Sequence, residues 1–241
     1  MPENTPDINE YILALNASPR MGSQVVHHTL LPEQPALYRP PERPWPGAME
    51  QILDSAGIRE LYTHQSRAMD RVRSGRHVVV ATPTASGKTL IYNLPVLERI
   101  LKDSHAKALY LFPLKALAQD QLKSFEDLSG RINRIQATAA VYDGDTTAWR
   151  RKRIRDNPPN VLITNPDMLH LSLLPHHRTW ASLFADLEVV VVDEVHTYRG
   201  VMGSHMAQVF RRLRRICAYY GAFPTFVFSS ATVANPGELA A

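Results

Sequence analysis

Ala81-Thr82-Pro83-Thr84-Ala85-Ser86-Gly87-Lys88-Thr89 is a short polar stretch ending in Gly-Lys-Thr, set between an apolar run and a segment with helical spacing. His77-Val78-Val79-Val80 ahead of it reads as a buried strand, and Leu90 to Leu101 behind it reads as a helix. A strand, a tight loop and a helix in that order aim several backbone N–H groups and the positive end of the helix dipole at one point, which favours an anion. The loop residues Thr84, Ala85, Ser86 and Gly87 are candidate nucleotide contacts. Lys88 adds a mobile charge for β- and γ-phosphates, and the Thr89 hydroxyl suits Mg²⁺. One departure stands out: the usual formula has a glycine five residues before Gly87, and Thr82 occupies that place. The alternative is a chance Gly-Lys-Thr on a surface turn, and the flanking strand and helix argue against it.

Apolar runs recur after this loop at Ala106 to Phe112, Ala137 to Tyr142, Val161 to Thr164, Leu187 to Val192 and Thr225 to Ser229, with helical stretches between them. Strands separated by helices need crossovers. The expected fold is therefore one α/β domain with a mostly parallel central sheet covered on both faces. Ahead of the loop, Met49, Ile52, Leu53 and Ala56 recur at helical spacing and stop at Gly57, and a further helix carries Ala68, Met69 and Val72 toward Gly75. Pro95 should kink the helix behind the loop or lie near its end. Residues 1–46 show no sustained period, and Pro32 to Pro46 holds six prolines in fifteen residues. They are expected to form an arm or strap, with the nucleotide-binding domain spanning 47–241.

The run Leu187 to Val192 ends in Asp193-Glu194. A buried strand that delivers two carboxylates to its C-terminal edge points to a cation or a water held there, at the edge where the phosphate loop also lies. Asp193 would hold Mg²⁺ through its waters, and Glu194 would orient and deprotonate the water that attacks the γ-phosphate. The competing reading is a helix cap with an acidic first turn. Together with Lys88 and Thr89 the two acids imply an ATP- or GTP-hydrolysing enzyme.

The 241 residues are 44% hydrophobic and 21% charged, an ordinary globular composition with room for a substantial core. A formal net charge of +4 is compatible with a nucleic-acid partner. No apolar run has the length of a membrane span and the polar start is no signal peptide, so a cytoplasmic protein is expected. A single cysteine, Cys217, rules out an internal disulfide and a thiolate zinc site. His27-His28 and His176-His177 show no metal-ligand spacing and read as surface or loop residues.

Asp193-Glu194-Val195-His196 resembles the four-letter signature of superfamily 2 helicases, relatives of the DEAD-box group, and further blocks follow in that family's order. Gln65 looks like the glutamine that reads adenine. Phe112-Pro113-Leu114-Lys115 and Thr164-Asn165-Pro166-Asp167 look like the two strand-holding loops, and Ser230-Ala231-Thr232 looks like the block that joins hydrolysis to movement. Tyr62-Thr63-His64-Gln65, Tyr142-Asp143-Gly144-Asp145-Thr146 and His196-Thr197-Tyr198-Arg199-Gly200 are similar to the MrfA-type mitomycin-repair DNA helicases. The resemblance implies a RecA-like first lobe that uses ATP and Mg²⁺, with Gln65 on adenine and His196, Ser230 and Thr232 near the catalytic acids. It places Pro113, Lys115, Gly144, Thr164, Asn165 and Pro166 on a nucleic-acid backbone. It further implies DNA rather than RNA, 3′-to-5′ movement and a role in DNA repair.

Alternatives accompany these expectations. Backbone contacts do not exclude RNA, and a non-catalytic nucleic-acid-binding scaffold is a rival of another class. Gln65 also fits a solvent-facing helix start, and either loop fits a plain β-to-α turn, with Asp167 capping the next helix. The clusters Arg150-Arg151-Lys152-Arg153 with Arg155, and Arg211-Arg212 with Arg214-Arg215, read first as wet helix faces, with a DNA or partner surface second. Asn235-Pro236-Gly237 reads as a helix start close to the last residue, and no arginine follows Arg215. The chain is accordingly expected to be a piece of a longer protein whose second RecA-like lobe supplies the transition-state arginines, and to hydrolyse ATP feebly alone.

Overall fold

The computed structural model describes residues 7–29, 35–83, 86–131 and 136–232. Contacts divide the chain into two units, Met1–Ala36 and Leu37–Ala241. In the first, helix α1 (Ile8–Ala17) is capped by Asp7, whose carboxylate accepts from the Asn9 amide at 3.1 Å. This helix falls where no periodic element was expected. Its cap and its leucines and alanines suffice locally, while none of its residues is buried.

In the second unit, residues 37–46 run as extended chain. Tyr38 forms an antiparallel bridge with Tyr62, Arg39 N–H donates to the Leu61 carbonyl at 3.0 Å, and Glu42 N–H donates to the Asp70 carboxylate. Helices α2 (Gly47–Ser55) and α3 (Thr63–Arg73) follow. From the end of α3, Arg73 donates to the Arg43 and Pro44 carbonyls, lies 4.0 Å from the Trp45 ring centroid and pairs with the buried Glu98 at 2.8 Å. With four prolines the segment has few donors of its own for a ladder, so α3 side chains hold much of it.

Strand β1 (Val78–Ala81) leads through the phosphate loop into α4 (Lys88–Lys102). Then come β2 (Lys107–Leu111), α5 (Lys115–Ser129), β3 (Ala139–Val141), α6 (Ala148–Asp156) and β4 (Val161–Thr164). The short α7 (Pro166–Met168) runs into a π turn at Leu169–Leu173 and is followed by α8 (Ala181–Ala185). Strand β5 (Leu187–Val192), the long α9 (Gly200–Tyr219) and β6 (Thr225–Ser230) complete the described unit. The six strands form one sheet in the order β1-β6-β5-β2-β4-β3, every neighbouring pair parallel.

Alternation along the central strands shows why both faces are buried. Ala108, Tyr110, Val189 and Val191 enter one core with Met49, Met69, Leu97 and Phe125 from the helices α2 to α5. Leu109, Leu111, Val190 and Val192 enter the other with Trp180, Phe184, Leu213 and Cys217. Burial pushes the Cys217 thiol up to about 12, so it packs as a small apolar group.

Pro95 lies in the middle of α4, not near its end, and is buried; the helix continues to Lys102. Lacking an N–H, Pro95 leaves the Ile91 carbonyl without its usual i+4 donor. The α9 stripe of Met206, Val209, Leu213 and Cys217 is buried as its spacing required, and Arg211, Arg214 and Arg215 are exposed opposite it.

Candidate nucleotide and nucleic-acid site

Because all six strands are parallel, their C-terminal ends lie along one edge, and nearly every predicted site residue leaves the sheet there. Across that edge the order is Lys88 after β1, Ser230 at the end of β6, Asp193 after β5, Lys115 after β2, Asn165 after β4 and Gly144 after β3. Neighbouring strands are about 4.8 Å apart, so β1 and β5 are separated by about two such steps. The edge therefore divides into a phosphate half and a second, basic and polar half.

In the phosphate half, Gly87 caps α4 with φ +73, a left-handed conformation that glycine adopts without a steric penalty. A Cβ at this position would collide with the Gln65 side-chain amide. Lys88 Nζ donates to the Thr82 and Pro83 carbonyls, each at 2.9 Å, and the Thr82 and Ser86 hydroxyls meet at 2.6 Å. Thr82, where the usual formula has glycine, thus braces the loop with its hydroxyl. Thr84 and Ala85 lie outside the described residues.

Tyr92, one turn beyond Thr89, ties the two ends of the site together. Burial raises its phenol well above the ordinary range, the carboxylates of Asp193 and Glu194 raise it further, and the Thr89 side chain opposes them. In the sheet only β6 stands between β1, which leads into this helix, and β5, which ends in the paired acids. Tyr92 also donates to Gln121 Oε1 at 3.0 Å.

Glu194 has φ +50, the one positive value among the described non-glycine residues. Such a backbone is strained and turns the side chain away from the path of the strand. Neither acid makes a side-chain cap bond, so the helix-cap alternative is not realised. His196 Nδ1 lies 3.2 Å from Glu194 Oε2, 3.3 Å from Ser230 Oγ and 3.4 Å from the Ala231 amide nitrogen. This one nitrogen cannot accept from Ala231 and donate to Glu194 at once, so the tautomer of the ring selects between the β5 acid and the β6 terminus. Thr232 is exposed beyond this contact.

Gln65 is 5% exposed. Its Oε1 accepts from the Tyr62 amide at 3.0 Å, and its Nε2 donates to the Gly87 carbonyl at 3.2 Å. It is not a solvent-facing helix start. It joins the first turn of α3 to the phosphate loop, as does His64 through the Ser86 carbonyl at 3.0 Å. Tyr38 and His64 stack on either flank of Tyr62, with ring centroids 5.2 and 5.8 Å away. Tyr38, Tyr62, Gln65, Gly87, Thr89 and Leu90 line a cavity of about 610 Å³ beside the loop. Tyr38 carries no sequence signal beyond being an aromatic residue in a proline-rich stretch.

In the other half, Lys115 pairs with Asp145 at 2.6 Å, linking the loops after β2 and β3. The Asp145 hydrogen bond raises the Lys115 pKa above the usual lysine value, against an opposing contribution from desolvation. Asn165, not Asp167, caps the following helix, accepting from Met168 N–H at 2.8 Å, with Pro166 at the first helical position. Thr164 is 1% exposed and its hydroxyl donates to the Tyr142 carbonyl, so it holds the strand end and does not face solvent. Gly144 is exposed and Pro113 half-buried.

Arg151 departs from the wet-face expectation. It donates to the Thr146, Asp143 and Gly144 carbonyls at 2.9, 2.8 and 3.1 Å and so braces the Gly144 loop from α6. Among the described residues no group of three or more His, Cys, Asp or Glu could hold a metal ion. A Thr89 hydroxyl with an Asp193 carboxylate suits a hard cation that takes its remaining oxygens from phosphate and water, as Mg²⁺ does. No described helix is long and apolar enough to cross a membrane.

A parallel α/β sheet with this loop and acid pair defines the RecA-like phosphate-loop class of fold. The profile of the DEAD/DEAH box helicases matches residues 62–239, and the chain belongs to that family. It is 51% identical over 201 residues to the ATP-dependent helicase YprA of Bacillus subtilis, covering 82% of this chain and 27% of that protein. It is 38% identical to the ATP-dependent helicase HRQ1 of Saccharomyces cerevisiae, covering 95% of this chain and 21% of the relative. The crystal structure of the DUF1998 helicase MrfA bound to DNA matches with 50% identity and a TM-score of 0.82, covering 86% of this chain and 29% of that one. The chain thus spans between a fifth and a third of the length of these relatives.

Proposed function

We propose that this chain is the ATP-binding lobe of an ATP-dependent DNA helicase or translocase, with residues 1–46 as its N-terminal arm. The observation that carries the reading is that Lys88 and Thr89 leave β1, and Asp193 and Glu194 leave β5, at one edge of a parallel sheet with only β6 between the two strands. On nucleotide binding Lys88 would leave the Thr82 and Pro83 carbonyls for phosphate oxygens, while Gln65 and the Tyr38–Tyr62–His64 stack border the place for the base. Thr89 and Asp193 would hold Mg²⁺, which neutralises phosphate charge, and Glu194 would orient and deprotonate the attacking water. His196 would report the state of Glu194 to Ser230 and Ala231. Lys115, Gly144, Asn165 and the loops at Pro113 and Pro166 would hold a single strand by its backbone, which favours no sequence.

The longer parent polypeptide should contain a second lobe that completes the site, since an arginine supplied from outside a lobe is worth roughly 10³ to 10⁵ in rate in related enzymes. DNA is favoured over RNA by the likeness to MrfA, which was crystallised on DNA. In the parent protein, single-stranded DNA should stimulate ATP turnover more than RNA of the same sequence does, and Glu194→Gln should abolish that turnover. Equal or stronger stimulation by RNA would overturn the DNA assignment.

A further inference from the structure

The α6 helix is unlike its neighbours. Of its nine residues only Ile154 is buried, and it carries five cationic side chains. Arg151 is spent on the Gly144 loop. Among the described residues none of Arg150, Lys152, Arg153 and Arg155 is paired with a carboxylate. At the N-terminal end of this helix, two residues past the Thr147 cap, the Trp149 ring is 71% exposed, with the Arg153 guanidinium 5.6 Å from its centroid. The other two tryptophans, Trp45 and Trp180, are 7% and 1% exposed. A large aromatic ring left in water within a field of unpaired cations is what a polyanion with flat, stackable groups would complete. The ring also continues the basic half of the site, because Arg151 ties α6 directly to the carbonyls of the Gly144 loop.

We propose that Trp149 is a base-stacking platform for single-stranded nucleic acid, extending the strand track outward past the β3 edge of the sheet, with Arg150 and Arg153 on the flanking phosphates. The proposal rests on the reading of this edge as a strand-holding surface. A neutral ring should add base-dependent affinity, whereas the arginines should add affinity that falls with salt.

The test is a titration of the chain with a deoxythymidine oligonucleotide, read by tryptophan emission and by anisotropy of the labelled strand. Since the other tryptophans are buried, the emission accessible to iodide belongs to Trp149, and the oligonucleotide should quench it. Trp149→Ala should weaken binding about five-fold or more. Its salt slope should be unchanged, Trp149→Phe should keep most of the affinity, and an abasic strand should bind wild type and Trp149→Ala alike. Unchanged affinity for a fluorescent ATP analogue would verify that the variant is folded. Strand binding with no quench and equal affinity for Trp149→Ala would overturn the platform alone and leave the ring to a protein partner. No strand binding by the wild type would overturn the strand-holding reading as well.

Discussion

Gln65 shows how one side chain can serve architecture and ligand together. It closes the first turn of α3 through the Tyr62 amide and holds the phosphate loop through the Gly87 carbonyl. Gln65→Ala is expected to lower stability by about 1 kcal/mol, the usual worth of a capping interaction, measurable by urea denaturation. Weaker binding of adenine nucleotides should accompany it, while guanine nucleotides lose less. Gly87→Ala should be more damaging, because it forces a left-handed backbone on alanine and drives a Cβ into the Gln65 amide. That variant should lose nucleotide binding even if its circular dichroism remains native.

At the scale of elements, the buried pair Arg73–Glu98 locks α3 to α4 and pins the strap of residues 43–45. Arg73→Ala leaves the Glu98 carboxylate beneath the strap to Lys102 alone and should cost less than the about 3–5 kcal/mol of a wholly unpaired buried charge, measured by denaturant titration. Burial by itself would raise the Glu98 carboxyl, yet the hydrogen bonds from Arg73 and Lys102 outweigh it and hold it below its ordinary value of 4.5. A folded-state value below the unfolded one stabilises the protein above about pH 4.5 and ceases to do so as pH falls through the folded value. The stability gap between wild type and Glu98→Gln should therefore be widest near neutrality and narrow below that pH. An equal gap at pH 7 and pH 3 would remove the pair from this role.

For the whole molecule, what was legible in the sequence was what is local along the chain. The β-branched runs gave strands buried on both faces as expected, and Gly87-Lys88-Thr89 and Asp193-Glu194 lie at the strand ends that their positions required. What escaped was non-local. Nothing near Tyr38 says that it will pair with Tyr62, and nothing in the basic run at 150–153 separates Arg151, which braces a loop, from its solvated neighbours. The α1 helix escaped because its cap is local but it has no buried face to impose a period, and of the two places open to Pro95 the helix interior is the one it takes. The division of the sheet edge into a nucleotide half and a strand half also depends on strand order, which the spacing of apolar runs does not encode. In the proposed site Lys88 and Asp193 act on the polyphosphate of one nucleotide. Equilibrium titration of a fluorescent, non-hydrolysable ATP analogue into wild type, Lys88→Ala, Asp193→Ala and the double variant, with and without Mg²⁺, tests it most directly. Each single change should weaken Mg²⁺-dependent binding at least about ten-fold, and the double variant should lose less than the sum because the residues share a ligand. Wild-type affinity in Lys88→Ala, or full additivity of two independent losses, would contradict the account.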